Sequence, residues 1–317
     1  MRFGPIEDFG AWTEKAKEKI DGRIVCASIS GGKDSTALGL LLNAAGIPYR
    51  AVHMDTGWEH EDTEQYVRQY LPGVLGKDIE IIQGRHGGME SLIRKKGTFP
   101  SRVRRYCTQE LKVRPMKKWL KSLDDEPINV VGIRAAESRA RSKMPEWDHS
   151  AGFDCEVWRP LIDWSERDVI NIHSDFGVLP NPLYLRGANR VGCWPCIFAR
   201  KKEIRFIANT DPERIEKISQ LEDEVHQLAR ARYRARNESL DVLDANPPTW
   251  FHSRDAKRDA NGKIEGTNWP IEKAVEWSRT SWGGKQFELF QADESDAGCM
   301  RWGLCETVAA DGDMGWS

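Results

Sequence analysis

Ser30-Gly31-Gly32-Lys33-Asp34-Ser35 is the segment whose residue types say most about chemistry. Two adjacent glycines let a backbone turn tightly and come close to a ligand. Successive N–H groups and a helix N-terminus then converge with the Ser30 and Ser35 hydroxyls on an anion, and Lys33 adds compensating charge. The spacing is not the G-x-x-x-x-G-K-[ST] of the nucleoside-triphosphate P-loop. Asp55-Thr56-Gly57 offers a carboxylate and a hydroxyl for a phosphate-bound Mg²⁺ or a ribose hydroxyl, with a helix N-cap as the plainer alternative. Arg134, Ser138 and Arg141 supply guanidinium and hydroxyl groups suited to phosphate or sulfate. The competing reading there is a solvated helical face with ion pairs through Glu137.

Cysteine is the second signal. The chain has seven. Cys193-Trp194-Pro195-Cys196 is a C-x-x-C pair, Cys107 lies upstream, and Cys299 and Cys305 lie downstream. Such a set suits a Cys₄ site for zinc or for an iron–sulfur cluster. Cys26, inside a strand-like run, and Cys155 read as unligated thiols. Around Cys107 the chain is basic, with Arg94, Lys95, Lys96, Arg102, Arg104 and Arg105 followed by Lys112, Arg114, Lys117 and Lys118 against Glu110 alone. The whole chain carries a net charge of only −2, so this local excess is informative: it suits a second phosphate or sulfate, or a nucleic-acid backbone, with a solvated face as the plainer alternative. Arg230, Arg232, Arg234 and Arg236 alternate and should spread around a helix rather than line one face.

These residues need elements to hold them. Arg23–Ser30, Tyr49–Asp55, Ile79–Gln83 and Ile128–Ile133 read as strands, and Ser35–Ala45 as a helix stopped by Gly46. Short apolar strands alternating with helices predict an α/β fold with a doubly wound, mainly parallel sheet, whose ligands sit at the C-terminal strand ends. Asp211–Asn237 reads as a charged amphipathic helix and 246–269 as loop. The expected division is 1–205 for the nucleotide-binding domain and 206–317 for a helical, loop-rich extension that completes the cysteine site. Hydrophobic residues make up 39%, enough for a core. A mean hydropathy of −0.61 and the lack of a long apolar run exclude a membrane-spanning helix. The N-terminal twenty residues carry acids and no apolar segment, so a cytoplasmic chain with reduced or metal-bound cysteines is expected.

The set as a whole resembles the phosphoadenosine phosphosulfate (PAPS) reductase family of PP-loop adenine-nucleotide α-hydrolases. Ser30 to Ser35 match the PP-loop, which grips pyrophosphate in enzymes that cleave ATP between the α- and β-phosphates. Asp55-Thr56-Gly57 matches the family's D-T-G, and Gly132, Arg134, Ser138 and Arg141 match G-x-R-x-x-x-S-x-x-R. Arg159-Pro160-Leu161-Ile162-Asp163-Trp164 with Asp168-Val169, Asn181-Pro182-Leu183-Tyr184, and Gly192 to Cys196 follow in the family's order. The resemblance implies ATP, PAPS or adenylyl sulfate as ligand, with Mg²⁺, and Lys33, Asp34 and Arg134 as the catalytic set. Ser30, Gly31, Gly32, Ser35, Asp55, Ser138 and Arg141 then complete the nucleotide site. It also implies a [4Fe–4S] cluster on Cys107, Cys193, Cys196 and Cys305, with Cys299 as substitute. Two departures stand out. Tyr106 precedes Cys107 where cluster-bearing reductases have a second cysteine, and Gly303-Leu304-Cys305-Glu306-Thr307 is not the reductases' E-C-G-[IL]-H nucleophile. The R-Y-C-T form is more similar to PP-loop proteins that install sulfur in nucleic acid, such as those of DNA phosphorothioation, and to phage relatives. The leading expectation is therefore an ATP-cleaving sulfur transferase that uses a sulfur donor and acts on a nucleic-acid acceptor. Thiol-dependent reduction of PAPS or adenylyl sulfate to sulfite is the second reading. A nucleotide- and nucleic-acid-binding module with structural zinc is the third.

Overall fold

The computed structural model describes residues 3–123, 126–252 and 267–281, the backbone of 257–258 and 264–265, and Trp302. Contacts group the chain into two units: 1–85 with 110–192 and 293–317, and 86–109 with 193–292.

The first unit is the α/β sheet that the strand pattern predicts. Its elements in the first half are α1 (Phe9–Ile20), β1 (Val25–Ser28), α2 (Lys33–Ala44), β2 (Arg50–Asp55), α3 (Glu61–Gln65), α4 (Leu71–Leu75) and β3 (Ile79–Gln83). A π-helical turn, Tyr66–Tyr70, joins α3 to α4. The order along the sheet is β3, β2, β1, then β4 (Ile128–Val131), β6 (Cys155–Trp158) and β5 (Trp147–Ser150). All neighbours are parallel except β5 and β6. Val25, Cys26 and Ala27 of β1 are buried, as a central strand covered on both faces requires. Nine of the twelve residues of α2 are buried, which explains the all-round apolar sequence Ala37 to Leu42. The unit also holds α7 (Arg114–Leu120), α8 (Glu166–Asp175) and α9 (Pro182–Leu185), and α8 packs on α2. No described helix is long and apolar enough to cross a membrane.

The second unit is helical. It contains α5 (Met89–Lys96), α6 (Tyr106–Thr108), α10 (Lys201–Thr210), α11 (Pro212–Ala235), α12 (Asp241–Ala245) and α13 (Ile271–Ser278), with a two-residue ribbon of β7 (Lys257–Arg258) and β8 (Ile264–Glu265). Pro212 at the first turn and the Asp211 carboxylate, which accepts from the Arg214 N–H, start α11. Arg232, from the alternating arginine strip, donates to the Lys95 and Lys96 carbonyls at the end of α5, and Arg230 pairs with Asp244. The division differs from the one expected at residue 205. Segment 86–109 joins the later helices, through the packing of α5 on α11, and the C-x-x-C pair falls with them.

Candidate functional site

The Ser30–Ser35 turn lies where β1 hands over to α2. Gly31 has φ +73°, and a Cβ there would come within 2.7 Å of Val67 Cγ2, so the turn needs glycine for both conformation and space. Gly32 is the N-cap of α2 and brings no side-chain acceptor; the Lys33 N–H goes to the Tyr184 hydroxyl, and the N–H groups of Asp34 and Ser35 face the place a ligand anion takes at a helix N-terminus. Ser35 Oγ accepts from the Ser30 N–H at 3.0 Å and donates to the Gly32 carbonyl at 2.9 Å, locking the turn from within. The Ser30 and Ser35 hydroxyl oxygens are 3.1 Å apart.

Four charged side chains meet at this turn. Lys33 Nζ lies 3.7 Å from Asp34 Oδ2 and 3.4 Å from Glu166 Oε1. Arg134, at the end of β4, donates through Nε to Asp34 Oδ1. Lys33 and Arg134 are buried. Asp34 thus holds both cations at the strand end, so removing it leaves them without their shared anion. Gly132 makes the approach possible: a Cβ there would sit 2.5 Å from the Asp34 carbonyl oxygen. Arg141 pairs with Glu137, and its N–H donates to Ser138 Oγ at 3.2 Å. Glu137 ends a 3₁₀ turn, Ala135–Glu137, and its carboxylate accepts from the Arg134 N–H; Ser138 caps that turn and Arg141 opens a second one, Arg141–Lys143.

Asp55 ends β2. Burial disfavours its charge, but donation from Gln83 Nε2, the Gly57 N–H and the Arg68 guanidinium outweighs burial and holds the carboxyl below the usual range. Glu59 accepts from the Thr56 hydroxyl at 2.6 Å and from the Thr56 and Trp58 N–H groups. Oxygens of Asp55, Glu59 and Glu64 lie within 4.8 Å of one another, a donor set suited to a hard cation such as Mg²⁺.

The sequence motif Asn181 to Tyr184 proves to be a buttress of the turn. Asn181 Nδ2 donates to the Gly31 carbonyl at 3.2 Å and to Thr63 Oγ1 at 3.1 Å. The Lys33 N–H donates to the Tyr184 hydroxyl at 3.3 Å, and the Lys33 ammonium lies 5.1 Å from the Tyr184 ring centre. Trp302 packs on Tyr184 and, edge-on, on His173, whose buried ring is held well below its ordinary pKa, near 4, by desolvation. The roles of Glu166, Asn181 and Tyr184 were not legible from the sequence, although the N-P-L-Y spelling marked where two of them are.

In the second unit, Cys107 opens onto the C-x-x-C pair. Burial pushes the Cys107 thiol up, and the proximity of Cys193 and Cys196 adds to the rise. The unit thus gathers Cys107, Cys193 and Cys196, a thiol set of the kind that ligates zinc or an iron–sulfur cluster. Trp194 anchors the loop by donating from Nε1 to Asp211 at 3.1 Å. Cys299 and Cys305 lie outside the described residues. Cys26 and Cys155 sit in a hydrophobic cluster of the first unit, and burial pushes the Cys26 thiol up to about 12.

A phosphoadenosine phosphosulfate reductase domain model matches residues 24–199, which is more than half of the chain. The chain belongs to the PAPS reductase family. The match takes in every motif from the PP-loop to the C-x-x-C pair of this family member. Its relatives include an uncharacterised 37.8 kDa protein of Escherichia phage 186, 31% identical over 90% of this chain and 98% of the phage protein. The adenosine 5'-phosphosulfate reductase of Allochromatium vinosum is 29% identical over 56% of this chain and 69% of that enzyme. Among solved structures, the PAPS reductase of Candida auris in its phosphate complex aligns with a TM-score of 0.47 at 17% identity, over 57% of this chain and 87% of that one.

Proposed function

We infer that this PAPS reductase family member cleaves ATP to AMP and pyrophosphate and couples the cleavage to sulfur transfer onto a nucleic-acid acceptor. The observation that carries the reading is the meeting of Lys33, Asp34 and Arg134 at the uncapped N-terminus of α2. A pyrophosphate group there draws on the first-turn N–H groups and the two cations, which take the charge of the departing β,γ-phosphates as an acceptor oxygen attacks the α-phosphate. Asp34 and Glu166 hold Lys33 and Arg134 in place before the ligand arrives, so little reorganisation is needed at the moment of reaction. Mg²⁺ enters with ATP or on the carboxylates around Asp55. A sulfide-level sulfur from a sulfur donor then attacks the activated atom of the acceptor, and AMP leaves carrying the acceptor's former oxygen. Cys107, Cys193 and Cys196, with Cys305 or Cys299 from outside the described residues, would hold a [4Fe–4S] cluster. When bound, the cluster supplies an iron site that holds sulfur.

The test is pyrophosphate release from ATP and Mg²⁺ by anaerobically purified protein, with and without single-stranded DNA or RNA. Release that needs the nucleic acid and is lost in Lys33→Ala supports the reading. No release under any condition, together with tight PAPS binding, rejects it. The 29% identity to an adenosine 5'-phosphosulfate reductase favours one second reading, reduction of a sulfonucleotide to sulfite. Thiol-dependent sulfite formation that is abolished by Cys305→Ala would establish it instead. Iron and sulfide in a brown preparation separate both from a colourless protein with structural zinc.

A further inference from the structure

Residues 91–109 carry six basic residues and no acidic one. Some of this segment has structural work inside the second unit. Arg94 pairs with Glu90 and Glu224, and the carbonyls of Lys95 and Lys96 are capped by Arg232. Arg102, Arg104 and Arg105 differ. They are exposed, and among the described residues none has a carboxylate partner. They sit on a formed turn, not a loose one: the Ser101 N–H donates to the Arg104 carbonyl at 3.1 Å, and the Arg104 N–H donates to Ser101 Oγ at 3.0 Å. The Arg102 and Arg105 guanidinium carbons lie 5.8 and 5.0 Å from the ring centre of Phe198. Stacking occupies a guanidinium face and leaves its N–H edge for phosphate oxygens, save for Arg105 Nη2, which donates to Thr108 Oγ1 at 3.4 Å. Val103, at the tip, is 93% exposed.

We propose that the turn Arg102–Arg105, braced on Phe198, is the surface that seats a single-stranded nucleic acid. The proposal rests on the reading of the acceptor as nucleic acid and names the residues that would grip it. Three guanidinium groups within four residues match successive phosphates of one strand, and charge complementarity is supplied locally in a chain that is otherwise near neutral. An aliphatic apex between those groups suits the exposed face of an unpaired base, which a duplex hides. The turn is tied to the thiols through the chain. Arg105 is two residues before Cys107 and Phe198 two after Cys196, so each lies within about 7 Å, Cα to Cα, of a cysteine. A strand held here is delivered to the sulfur ligands.

The experiment uses fluorescence anisotropy of labelled 20-nucleotide single strands, DNA and RNA in separate arms, with the full chain over a salt series. The triple variant Arg102→Ala, Arg104→Ala, Arg105→Ala is expected to weaken binding tenfold or more and to flatten the slope of log K against log salt by about 2. The corresponding triple lysine variant should keep the slope, and Val103→Ser should weaken single-strand binding alone. Unchanged affinity and slope in the alanine variant, provided its circular dichroism is native, overturn the proposal. Equal affinity for a duplex overturns the single-strand assignment. Displacement of the oligonucleotide by polyglutamate at equal charge concentration reassigns the surface to an acidic polypeptide. Oligonucleotide binding that is lost in the alanine variant while pyrophosphate release never occurs leaves this surface standing and rejects the ATP-cleavage reading. Nucleic-acid-dependent pyrophosphate release with wild-type strand binding in that variant does the reverse.

Discussion

Arg134 and Lys33 meet on one carboxylate, but they are not equivalent there. Arg134 reaches Asp34 through Nε, which leaves the terminal nitrogens of a planar fork for a phosphate. Lys33 is a point charge already shared between Asp34 and Glu166. Arg134→Lys keeps the charge and loses the fork. Its pyrophosphate affinity should fall about tenfold, as one charge-assisted bidentate contact is lost, while folding is retained. Isothermal titration with pyrophosphate checks this, and an unchanged Kd removes Arg134 from the site. Gly132 makes a different demand. Its missing Cβ is what allows β4 to reach the Asp34 carbonyl, so Gly132→Ala should destabilise the first unit by roughly 1–3 kcal/mol and lower pyrophosphate affinity with it. Denaturant unfolding with and without pyrophosphate measures both. The motif spelling marked Gly132 and Arg134 in the sequence. That the two converge on Asp34, 98 and 100 positions away, is a tertiary fact that no local pattern encodes.

At the scale of elements, β1 to β4 and α2 were readable because each is short and centred on apolar or β-branched residues, with turn residues such as Gly31, Gly46 and Gly57 at their ends. The strands β5 and β6 were not. β5 carries Asp148 and His149 on an edge, and in β6 Glu156 leaves only Val157 and Trp158 as an apolar run before Arg159, so neither shows a clear apolar signature. What holds them is partly aromatic: Trp147 and Trp158 stack at 4.9 Å across the pair. In the helical unit, α11 was readable as an amphipathic helix, but the use of Glu222 within it was not. Its two carboxylate oxygens accept from the Trp250 N–H at 2.7 Å and from the Ile271 N–H, at the start of α13, at 2.9 Å. Burial outweighs these bonds and pushes Glu222 up to about 7. A folded-state pKa above the unfolded one gives stability that is complete below the unfolded pKa, about 4.5, and is lost as pH rises through 7. The loss amounts to about 3 kcal/mol at 1.36 kcal/mol per unit. Glu222→Gln turns its amide nitrogen toward one of the two donors, so its stability carries a constant offset. The readout is the slope: relative to wild type, the glutamine variant should gain stability from pH 5 to about pH 7 and level off above it. Parallel thermal-unfolding profiles across that range would remove Glu222 as the titrating group.

On the scale of the molecule, the two contact units separate the two ligand sets that the sequence presented as one list. The anion turn, Asp55 and Arg134 fall in the first, and Cys107, Cys193 and Cys196 in the second. The sequence suggested a cut at residue 205, because composition shifts there toward charged helix. It gave no sign that 86–109 crosses to the later helices, since that union depends on α5 packing on α11 far along the chain. Ligands that bind only the native form stabilise what holds them, by about 2.7 kcal/mol at a hundredfold excess over Kd. If each unit opens on its own, pyrophosphate should slow amide exchange about a hundredfold in β1, β2 and β4 and leave α10 and α11 unaffected. Iron chelation should do the opposite, raising exchange around 193–235 and sparing the sheet. Hydrogen-exchange mass spectrometry on the anaerobic protein reads both in one experiment. Protection that rises uniformly across both units on adding pyrophosphate would show one cooperative body, with the turn at α2 and the cysteine trio linked in stability.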